Sequence, residues 1–321
     1  MNLLLALFDT RMRLSGNEYS ISTGATTITP TVSVVIPVYN RASRIKFALD
    51  SVFAQTFGNY EIVVVDDGSS DDTASIVEAV GSDKLRLLRH LDNRGPAAAR
   101  NTGIQASRGR WIAFLDSDDS WKPEKLERQL AVLDRAGPRV KACASGYHLH
   151  KDGRELTISL KLSSAQFRRE ILFGCTISPG STLLIDREVF SELGGFDEGL
   201  RRLEDWDWLL RFSERYDVTF IAEPLADVYL TTRKPLPKGN MADPVRDAIR
   251  DIGIKHLPHM ASWTKKLQLR SSLLVEEAAA LYRNDRLVAA SLVVLMALIV
   301  YPARNASFFR TLWRSVTSRL S

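Results

Sequence analysis

Short hydrophobic runs alternate with helical patterns through the first third of the chain. Apolar runs that are typical of buried strands occupy residues 32–37, 61–65, 85–88 and 111–115. The segments between these runs predict helices over residues 44–57, 72–80 and 96–107. Strands that alternate with helices in this way predict an α/β fold, with a Rossmann-like, mostly parallel sheet and helices on both faces.

The second half of the chain is less regular. A hairpin turn is predicted at Lys151-Asp152-Gly153-Arg154, between two apolar runs. The other predicted elements are a strand over 181–185 and helices over 187–193, 203–216, 241–256 and 262–283. A Pro- and Lys-rich loop at 233–239 predicts a boundary. The chain then divides into a flexible lead-in (1–30), an α/β domain (31–235, with halves 31–120 and 121–235) and a helical C-terminal extension (236–321).

The composition is that of an ordinary folded protein, with 45% hydrophobic and 25% charged residues. It excludes collagen-like, disordered and disulfide-rich classes. The formal net charge of +5 suits anionic substrates, nucleic acid or an acidic membrane face, and equally a solvated basic surface. Cys143 and Cys175 have no metal-ligand spacing, which predicts reduced, buried thiols in a cytosolic setting.

The C-terminal region contains an uncharged segment at residues 287–301. As a helix this segment would extend about 22 Å, which is short for a bilayer core. A buried helix of a small bundle and a helix that dips into a membrane both remain open. The basic and aromatic residues 308–314 favour contact with a membrane surface.

Polar clusters follow three of the predicted strands, at Pro37-Val38-Tyr39-Asn40, at Asp66-Asp67 and at Asp116-Ser117-Asp118-Asp119. In a doubly wound sheet the ligand lies beyond the carboxyl ends of the strands. Closely spaced carboxylates repel one another unless a cation lies among them, and hard oxygen ligands suit Mg²⁺ or Mn²⁺ carrying substrate phosphates. The alternative for the last cluster is an Asp-rich turn in which Asp119 or Ser120 caps a helix.

Other polar and aromatic residues also allow two interpretations. Asp67 either accepts the ring N–H of a uracil or forms an Asx-type turn before Gly68. Glu204-Asp205 begins a helix, where the dipole favours acids, but one of the two carboxylates could also act as a general base. Trp206 and Trp208 could form a platform for a sugar ring or pack in the core.

The motifs VSVVIPVYN, EIVVVDDGSSDDT, NRGPAAARNTGIQASRGRWIAFLDSDD, GGFDE and LEDWDWLLRF follow in order over residues 32–230. Together they resemble the family 2 glycosyltransferases, which have the GT-A fold. The resemblance implies an inverting sugar transfer from a nucleotide-sugar, with UDP as the expected nucleotide, to an acceptor hydroxyl. It also implies a divalent cation, Mn²⁺ or Mg²⁺.

The resemblance assigns roles to individual residues. It implies that Asp118 is the main metal ligand with Asp116 beside it, and that Asp205 is the catalytic base with Glu204 as its neighbour. The acceptor residues would be Gly195, Trp206 and Trp208. The nucleotide-sugar would be bound by Pro37, Tyr39, Asn40, Asp66, Asp67, Arg100, Asp116 and Ser117.

The expected partners are a nucleotide-sugar donor, a saccharide or lipid-linked saccharide acceptor, and a membrane surface reached through the C-terminal helices. Nucleic acid is not expected. We expect a cytoplasmic protein, peripheral on the inner face of the cell membrane, that builds cell-surface polysaccharide or lipid-linked saccharide.

Two alternatives to a glycosyltransferase stay open. A nucleotidyltransferase would need a glycine-rich basic loop after the first strand, which residues 37–41 do not provide. A degenerate sugar-binding or scaffold subunit would lack a base or metal ligand, yet Asp118 and Asp205 are both present.

Overall fold

The computed structural model describes residues 29–175, 177–230, 244–284 and 286–302. It also describes two short paired strands, β1 (Arg13–Leu14) and β2 (Asn17–Glu18). Most of the predicted lead-in, the boundary loop at 233–239 and the basic segment 308–314 lie outside the described residues. The division of the chain into three parts therefore stays a prediction.

The first half forms four parallel strands with helices between them. Its elements are β3 (Val32–Val38), α1 (Ile45–Phe53), β4 (Tyr60–Asp66), α2 (Thr73–Glu78), β5 (Leu85–Arg89), α3 (Pro96–Ala106) and β6 (Trp111–Phe114). The strands pair in the order β5-β4-β3-β6, all parallel. Every residue of β3 and β4 is buried, as expected for parallel strands that helices cover on both faces.

The second half extends this sheet with strands of both directions. Its elements are β7 (Ser120–Trp121), α4 (Lys125–Leu133), β8 (Val140–Lys151), β9 (Arg154–Ile158), α5 (Ser164–Glu170), a 3-10 turn (Ile171–Phe173), α6 (Pro179–Thr182), β10 (Leu183–Asp186), α7 (Glu188–Leu193), α8 (Glu204–Arg215) and β11 (Asp217–Leu230). β10 is antiparallel to β6 and to β8, β11 is parallel to β8, and β7 is antiparallel to β11. The predicted α/β fold is confirmed, and the sheet is mixed beyond β6.

The predicted hairpin is confirmed between β8 and β9, which pair antiparallel. Its turn residues Asp152 and Gly153 have φ angles of 50° and 73°. Positive φ at both central positions is the conformation that tight hairpin turns require, and it explains the Asp-Gly pair.

Two apolar clusters cover the two faces of the sheet. Val32, Val34 and Ile36 of β3 point into one cluster, whereas Val35 points into the other. This alternation follows from the two-residue period of a strand. The sheet is therefore rigidly held from both sides, and the carboxyl ends of β3, β4 and β6 lie at the same edge.

The predicted C-terminal helices are present as α9 (Pro244–His256), α10 (Trp263–Arg283) and α11 (Leu287–Val300). α9 is tied to α8 by His256, whose Nε2 lies 2.9 Å from Asp207 Oδ1. α10 packs against both α9 and α11. Within the described residues, no helix combines the length and the apolar character that crossing a membrane requires.

Candidate functional site

The loops that follow β3 and β4 are joined to each other at the carboxyl edge of the sheet. Asn40 has a φ of 50°; its backbone N–H donates to Ser69 Oγ at 2.9 Å, and its Oδ1 accepts from the Ser70 N–H at 2.9 Å. Pro37 is buried within β3, whereas Tyr39 is 44% exposed. At the end of β3, the backbone of Asn40 is therefore held in place by hydrogen bonds, and the ring of Tyr39 is accessible.

The carboxylates of Asp66 and Asp67 lie inside the protein. Asp66 accepts from the Ser69 N–H at 3.0 Å and from Arg89 Nε at 3.0 Å. Asp67 accepts from the backbone N–H groups of residues 94 and 95 at 3.0 and 2.8 Å, and His90 Nδ1 lies 2.7 Å from it. The Asp67 side chain is only 4% exposed. Both residues thus hold the loops of this edge, and base reading by Asp67 stays a prediction.

The acidic cluster after β6 divides into an accessible pair and a buried member. The side chains of Asp116 and Asp118 are 38% and 19% exposed. Burial and the charge of Asp116 raise the pKa of Asp118 above its usual value. Ser117 between them is buried. The charge of Arg41, whose Nε lies 3.7 Å from Asp118 Oδ2, offsets part of the repulsion between the two carboxylates. A divalent cation beside them would relieve the remainder.

Asp119 has a different role. Its carboxylate accepts hydrogen bonds from Ser181 Oγ and from the backbone N–H of Tyr229, the latter at 2.9 Å. Burial, followed by the charge of Asp116, raises the pKa of Asp119 to about 8. Asp119 therefore joins the acidic loop to β11 rather than only capping the next turn.

The residues present fit a divalent cation that arrives with a diphosphate. In the part of the chain that the structure describes, no three His, Cys, Asp or Glu side chains converge into a ready-made metal cage. Mg²⁺ is typically held by one or two carboxylates together with substrate phosphates and water. Asp116 and Asp118 match that donor set.

Gly180 and Ser181 position the acidic loop, and sequence reasoning missed both. A Cβ atom on Gly180 would lie 2.3 Å from Asp116 Oδ2. The Asp116 N–H donates to Ser181 Oγ at 3.2 Å. No motif within a single sequence links residues 180–181 to residue 116, because α6 meets the end of β6 only in the folded protein.

Arg100 connects the acidic loop to the start of α8. Its Nη2 donates to Asp116 Oδ1 at 2.8 Å, and its Nη1 donates to Glu204 Oε1 at 2.8 Å. Burial disfavours the charged guanidinium, but Asp116 and Glu204 outweigh burial and hold the pKa of Arg100 above its ordinary value. A single buried cation thus fixes the spacing between two predicted site residues from distant parts of the chain.

Asp205 lies beside this pair in the first turn of α8. The turn begins at Leu203, whose φ is 62°, and the Trp206 N–H donates to Asp205 Oδ1 at 2.7 Å. Burial and then the charge of Glu204 raise the pKa of Asp205 to about 6, although Arg100 opposes the shift. Asp205, Arg100 and Gly180 line one small cleft. A carboxylate with this pKa can take a proton near neutral pH.

The prediction that Trp206 and Trp208 bind the acceptor is wrong for this structure, because each is only 1% exposed. Trp206 Nε1 donates to the Ile171 carbonyl at 2.6 Å, and Trp208 Nε1 donates to the Gly194 carbonyl at 3.1 Å. Trp208 also stacks on Phe190 with a centroid distance of 4.8 Å. Both indoles pack in the core behind α8, where a sugar ring cannot reach their faces.

Gly195 joins α3 to the segment before α8. A Cβ atom on Gly195 would lie 2.3 Å from Asn101 Oδ1, and its carbonyl accepts from Arg211 Nη2 at 2.8 Å. The absence of a side chain therefore permits a close contact between two elements of the site. Contact of Gly195 with an acceptor stays a prediction.

Comparison with solved structures identifies the fold. The structure of Staphylococcus aureus TarS residues 1–349 in complex with UDP-GlcNAc has a TM-score of 0.64 and 22% identity, covering 78% of this chain and 73% of that one. The mannosyltransferase PcManGT from Pyrobaculum calidifontis in complex with GDP-Man and Mn²⁺ has a TM-score of 0.56 and 22% identity, covering 91% and 81%. These neighbours are GT-A glycosyltransferases, so the predicted GT-A fold is confirmed.

The family follows from the sequence comparisons. The model of Glycosyl transferase family 2 matches residues 33–194, and the chain belongs to this family. The resemblance found in the motifs is therefore confirmed.

Named relatives agree with the family. An uncharacterized glycosyltransferase of Rickettsia prowazekii (strain Madrid E) is 34% identical over 207 residues, which are 61% of this chain and 63% of that protein. The amylovoran biosynthesis glycosyltransferase AmsB of Erwinia amylovora is 33% identical over 213 residues, covering 63% and 70%. The match thus spans less than two thirds of the Rickettsia protein.

Proposed function

We propose that this protein is an inverting, metal-dependent glycosyltransferase that moves a sugar from a nucleotide-sugar to an acceptor hydroxyl. The observation that carries the proposal is the bridge from Asp116 through Arg100 to Glu204. This bridge links the accessible acidic pair, which we propose for the donor, to the start of α8, where Asp205 is proposed for the acceptor. Transfer with inversion needs these two groups on opposite sides of the reacting carbon.

On the donor side, Asp116 and Asp118 would hold Mn²⁺ or Mg²⁺. When bound, the cation neutralises the charge that develops on the diphosphate leaving group. Arg100 keeps Asp116 in place and contributes a fixed positive charge beside the donor. The other residues proposed to bind the nucleotide-sugar are Pro37, Tyr39, Asn40, Asp66, Asp67 and Ser117.

On the acceptor side, Asp205 would take the proton of the attacking hydroxyl as the new glycosidic bond forms. Because its pKa is about 6, Asp205 is mostly ionised at pH 7 and still basic enough to accept the proton. Glu204 is held by Arg100 and acts on Asp205 through its charge. Glu204 is therefore proposed as a positioning residue, and Asp205 as the catalytic base.

The proposed donor nucleotide is UDP, and the proposed product is a cell-surface polysaccharide or a lipid-linked saccharide. The name of AmsB supports polysaccharide synthesis, and the UDP-GlcNAc in the TarS structure supports UDP. PcManGT is in complex with GDP-Man, so the choice between a UDP-sugar and a GDP-sugar for this protein needs a direct test. We propose a cytoplasmic enzyme with no nucleic-acid partner, whose C-terminal helices contact a membrane surface.

The proposed function is tested by incubating the protein with UDP-sugars and GDP-sugars in the presence of Mn²⁺ and measuring nucleotide release. We expect release from a UDP-sugar and its loss in Asp118→Asn. Asp50→Asn is the matched control, because Asp50 is an exposed carboxylate paired with Lys46 on α1. Equal nucleotide release by Asp118→Asn and wild type would contradict the assignment of Asp118 as a metal ligand. Stronger thermal stabilisation by GDP than by UDP would overturn the choice of nucleotide.

A further inference from the structure

The last described helix, α11, packs against α10 through its small residues. Ala290 and Ala297 are buried, and Ser271 Oγ of α10 donates to the Ala297 carbonyl at 2.8 Å. A second contact joins Gln268 Nε2 to the Tyr301 hydroxyl at 2.8 Å. The orientation of α11 is therefore fixed by α10, which determines the residues that it presents outward.

The outward face of α11 is apolar. Val288, Leu292, Leu295 and Ile299 recur at spacings of four, three and four residues, which places them on one side of a helix. The large apolar side chains exposed on α11 are Leu287 (55%), Val288 (78%), Leu292 (59%), Leu295 (55%), Met296 (54%) and Ile299 (71%). Contiguous apolar surface of this kind marks an interaction site.

The dimensions of α11 favour a position parallel to a surface. Its 14 residues extend about 21 Å, whereas the hydrocarbon core of a bilayer is about 30 Å thick. A helix too short to cross the bilayer, with its other side packed on α10, can bury its exposed apolar face only by lying along the surface of the hydrocarbon region.

The excess of basic over acidic residues lies in the same region of the sequence. Residues 286–321 contain Arg286, Arg304, Arg310, Arg314 and Arg319 and no acidic residue. The chain has 43 basic and 38 acidic residues, so the preceding 285 residues contain 38 of each and are formally neutral. The whole net charge of +5 therefore belongs to the segment that carries the apolar face.

We propose that the exposed face of α11, together with these arginines, docks onto an anionic lipid bilayer with α11 lying in the interface. The inference deepens the membrane contact given under the proposed function, and it would hold whichever sugar is transferred. A second copy of the chain is the competing occupant. The charge favours the bilayer, because two such segments in a symmetric pair would bring like charges together, whereas anionic headgroups attract them.

The proposal is tested by sedimenting the full chain with lipid vesicles. One set contains phosphatidylcholine alone, and the other contains phosphatidylcholine mixed with phosphatidylglycerol. We expect binding to the anionic vesicles and little to the neutral ones, with affinity decreasing as salt screens the charges. Equal binding to both sets, or to neither, would overturn the proposal.

Variants separate the apolar and the charged contributions. Leu292→Glu places a charge in the apolar face and is expected to weaken vesicle binding at least about tenfold. Arg310→Gln combined with Arg314→Gln is expected to weaken it about 25-fold, since each basic residue near an anionic surface contributes about fivefold. Ile254→Glu is the control, because Ile254 is an exposed apolar residue on α9 and is 65% exposed. Ile254→Glu should bind like wild type, and equal losses in all three variants would contradict the proposal.

Two further measurements distinguish the outcomes. Asp205→Asn should bind vesicles like wild type, so a failure of the transferase proposal leaves this result intact. Sedimentation velocity without lipid gives the oligomeric state. A dimer that Leu292→Glu dissociates, in a protein that does not bind vesicles, would assign the face of α11 to a second copy of the chain.

Discussion

Gly180 lies directly against the carboxylate of Asp116. A Cβ atom on Gly180 would stand 2.3 Å from Oδ2 and 2.7 Å from Cγ of Asp116, closer than non-bonded atoms approach. Gly180 belongs to α6, and Asp116 follows β6. The position of the first carboxylate of the acidic loop thus depends on a missing side chain 64 residues further along the chain.

Gly180→Ala should displace Asp116 and reduce sugar transfer with little loss of stability. The helical backbone at residue 180 accepts alanine, so the strain falls on the Asp116 carboxylate. We expect a decrease in kcat/KM of about tenfold or more, since small misplacements of site groups can cost up to about a hundredfold. Gly137→Ala is the matched control, because no atom lies within 4 Å of a Cβ at that position. Equal kcat/KM values for the two variants would contradict the importance of this contact.

Arg100→Met should destabilise the fold, because it leaves Asp116 and Glu204 without their shared cation. Removing one partner of a buried ion pair costs about 3–5 kcal/mol of unfolding free energy. Arg94→Met is the control, since Arg94 pairs with Glu198 and both side chains are about a third or more exposed, at 33% and 42%. Exposed pairs contribute about 0–1 kcal/mol. Urea unfolding of the two variants measures the difference, and similar unfolding free energies would argue against the bridge.

Substitution of Asp119 should lower stability, whereas substitution of Asp118 should abolish the response to Mn²⁺. Asp119→Ala removes the acceptor of the Ser181 hydroxyl and the Tyr229 N–H, and should lower the unfolding free energy by about 1–3 kcal/mol. Asp118→Asn should leave the unfolding free energy within about 0.5 kcal/mol and abolish the response to Mn²⁺. Thermal unfolding and Mn²⁺-dependent rates check both. Loss of the Mn²⁺ response in Asp119→Ala but not in Asp118→Asn would reverse the assignment.

The pH dependence of kcat/KM should show an acid limb near pH 6. Burial and Glu204 raise the pKa of Asp205 to about 6, so the carboxylate becomes protonated, and inactive as a base, as the pH falls through that value. Glu204→Gln removes the neighbouring negative charge and should shift the limb to lower pH. A limb that stays in place in Glu204→Gln, or an ordinary aspartate limb near pH 4 in wild type, would contradict the assignment of Asp205.

The sequence predicted the parts of the fold that local patterns determine. The β-branched runs of β3 and β4 are buried on both faces, so hydrophobicity alone marks them. β11 was not predicted, although it is the longest of the strands in the described residues. Pro224 interrupts its pattern, and a proline within a run argues against a strand. In the structure Pro224 lies at a register shift between Ile221 and Ala226, which accommodates it.

The sequence predicted only those residues of the candidate site that belong to a recognisable motif. Asp116, Asp118 and Asp205 come to one edge of the sheet, and Arg100 links the two groups. Gly180 and Ser181 were missed because their effect depends on contacts across the sheet. Trp206 and Trp208 were misassigned because a helix periodicity does not tell which side faces the core. In α8 they point inward, with their indole N–H groups bonded to backbone carbonyls.

The central claim is that Asp205 removes the acceptor proton beside a donor site built on Asp116 and Asp118. The most direct measurement compares Asp205→Asn with wild type in both single-turnover transfer and binding of UDP with Mn²⁺. We predict unchanged nucleotide binding and a transfer rate lower by about 10²–10⁴-fold, the usual contribution of a general base. A transfer rate close to that of wild type, or a parallel loss of nucleotide binding, would contradict this account.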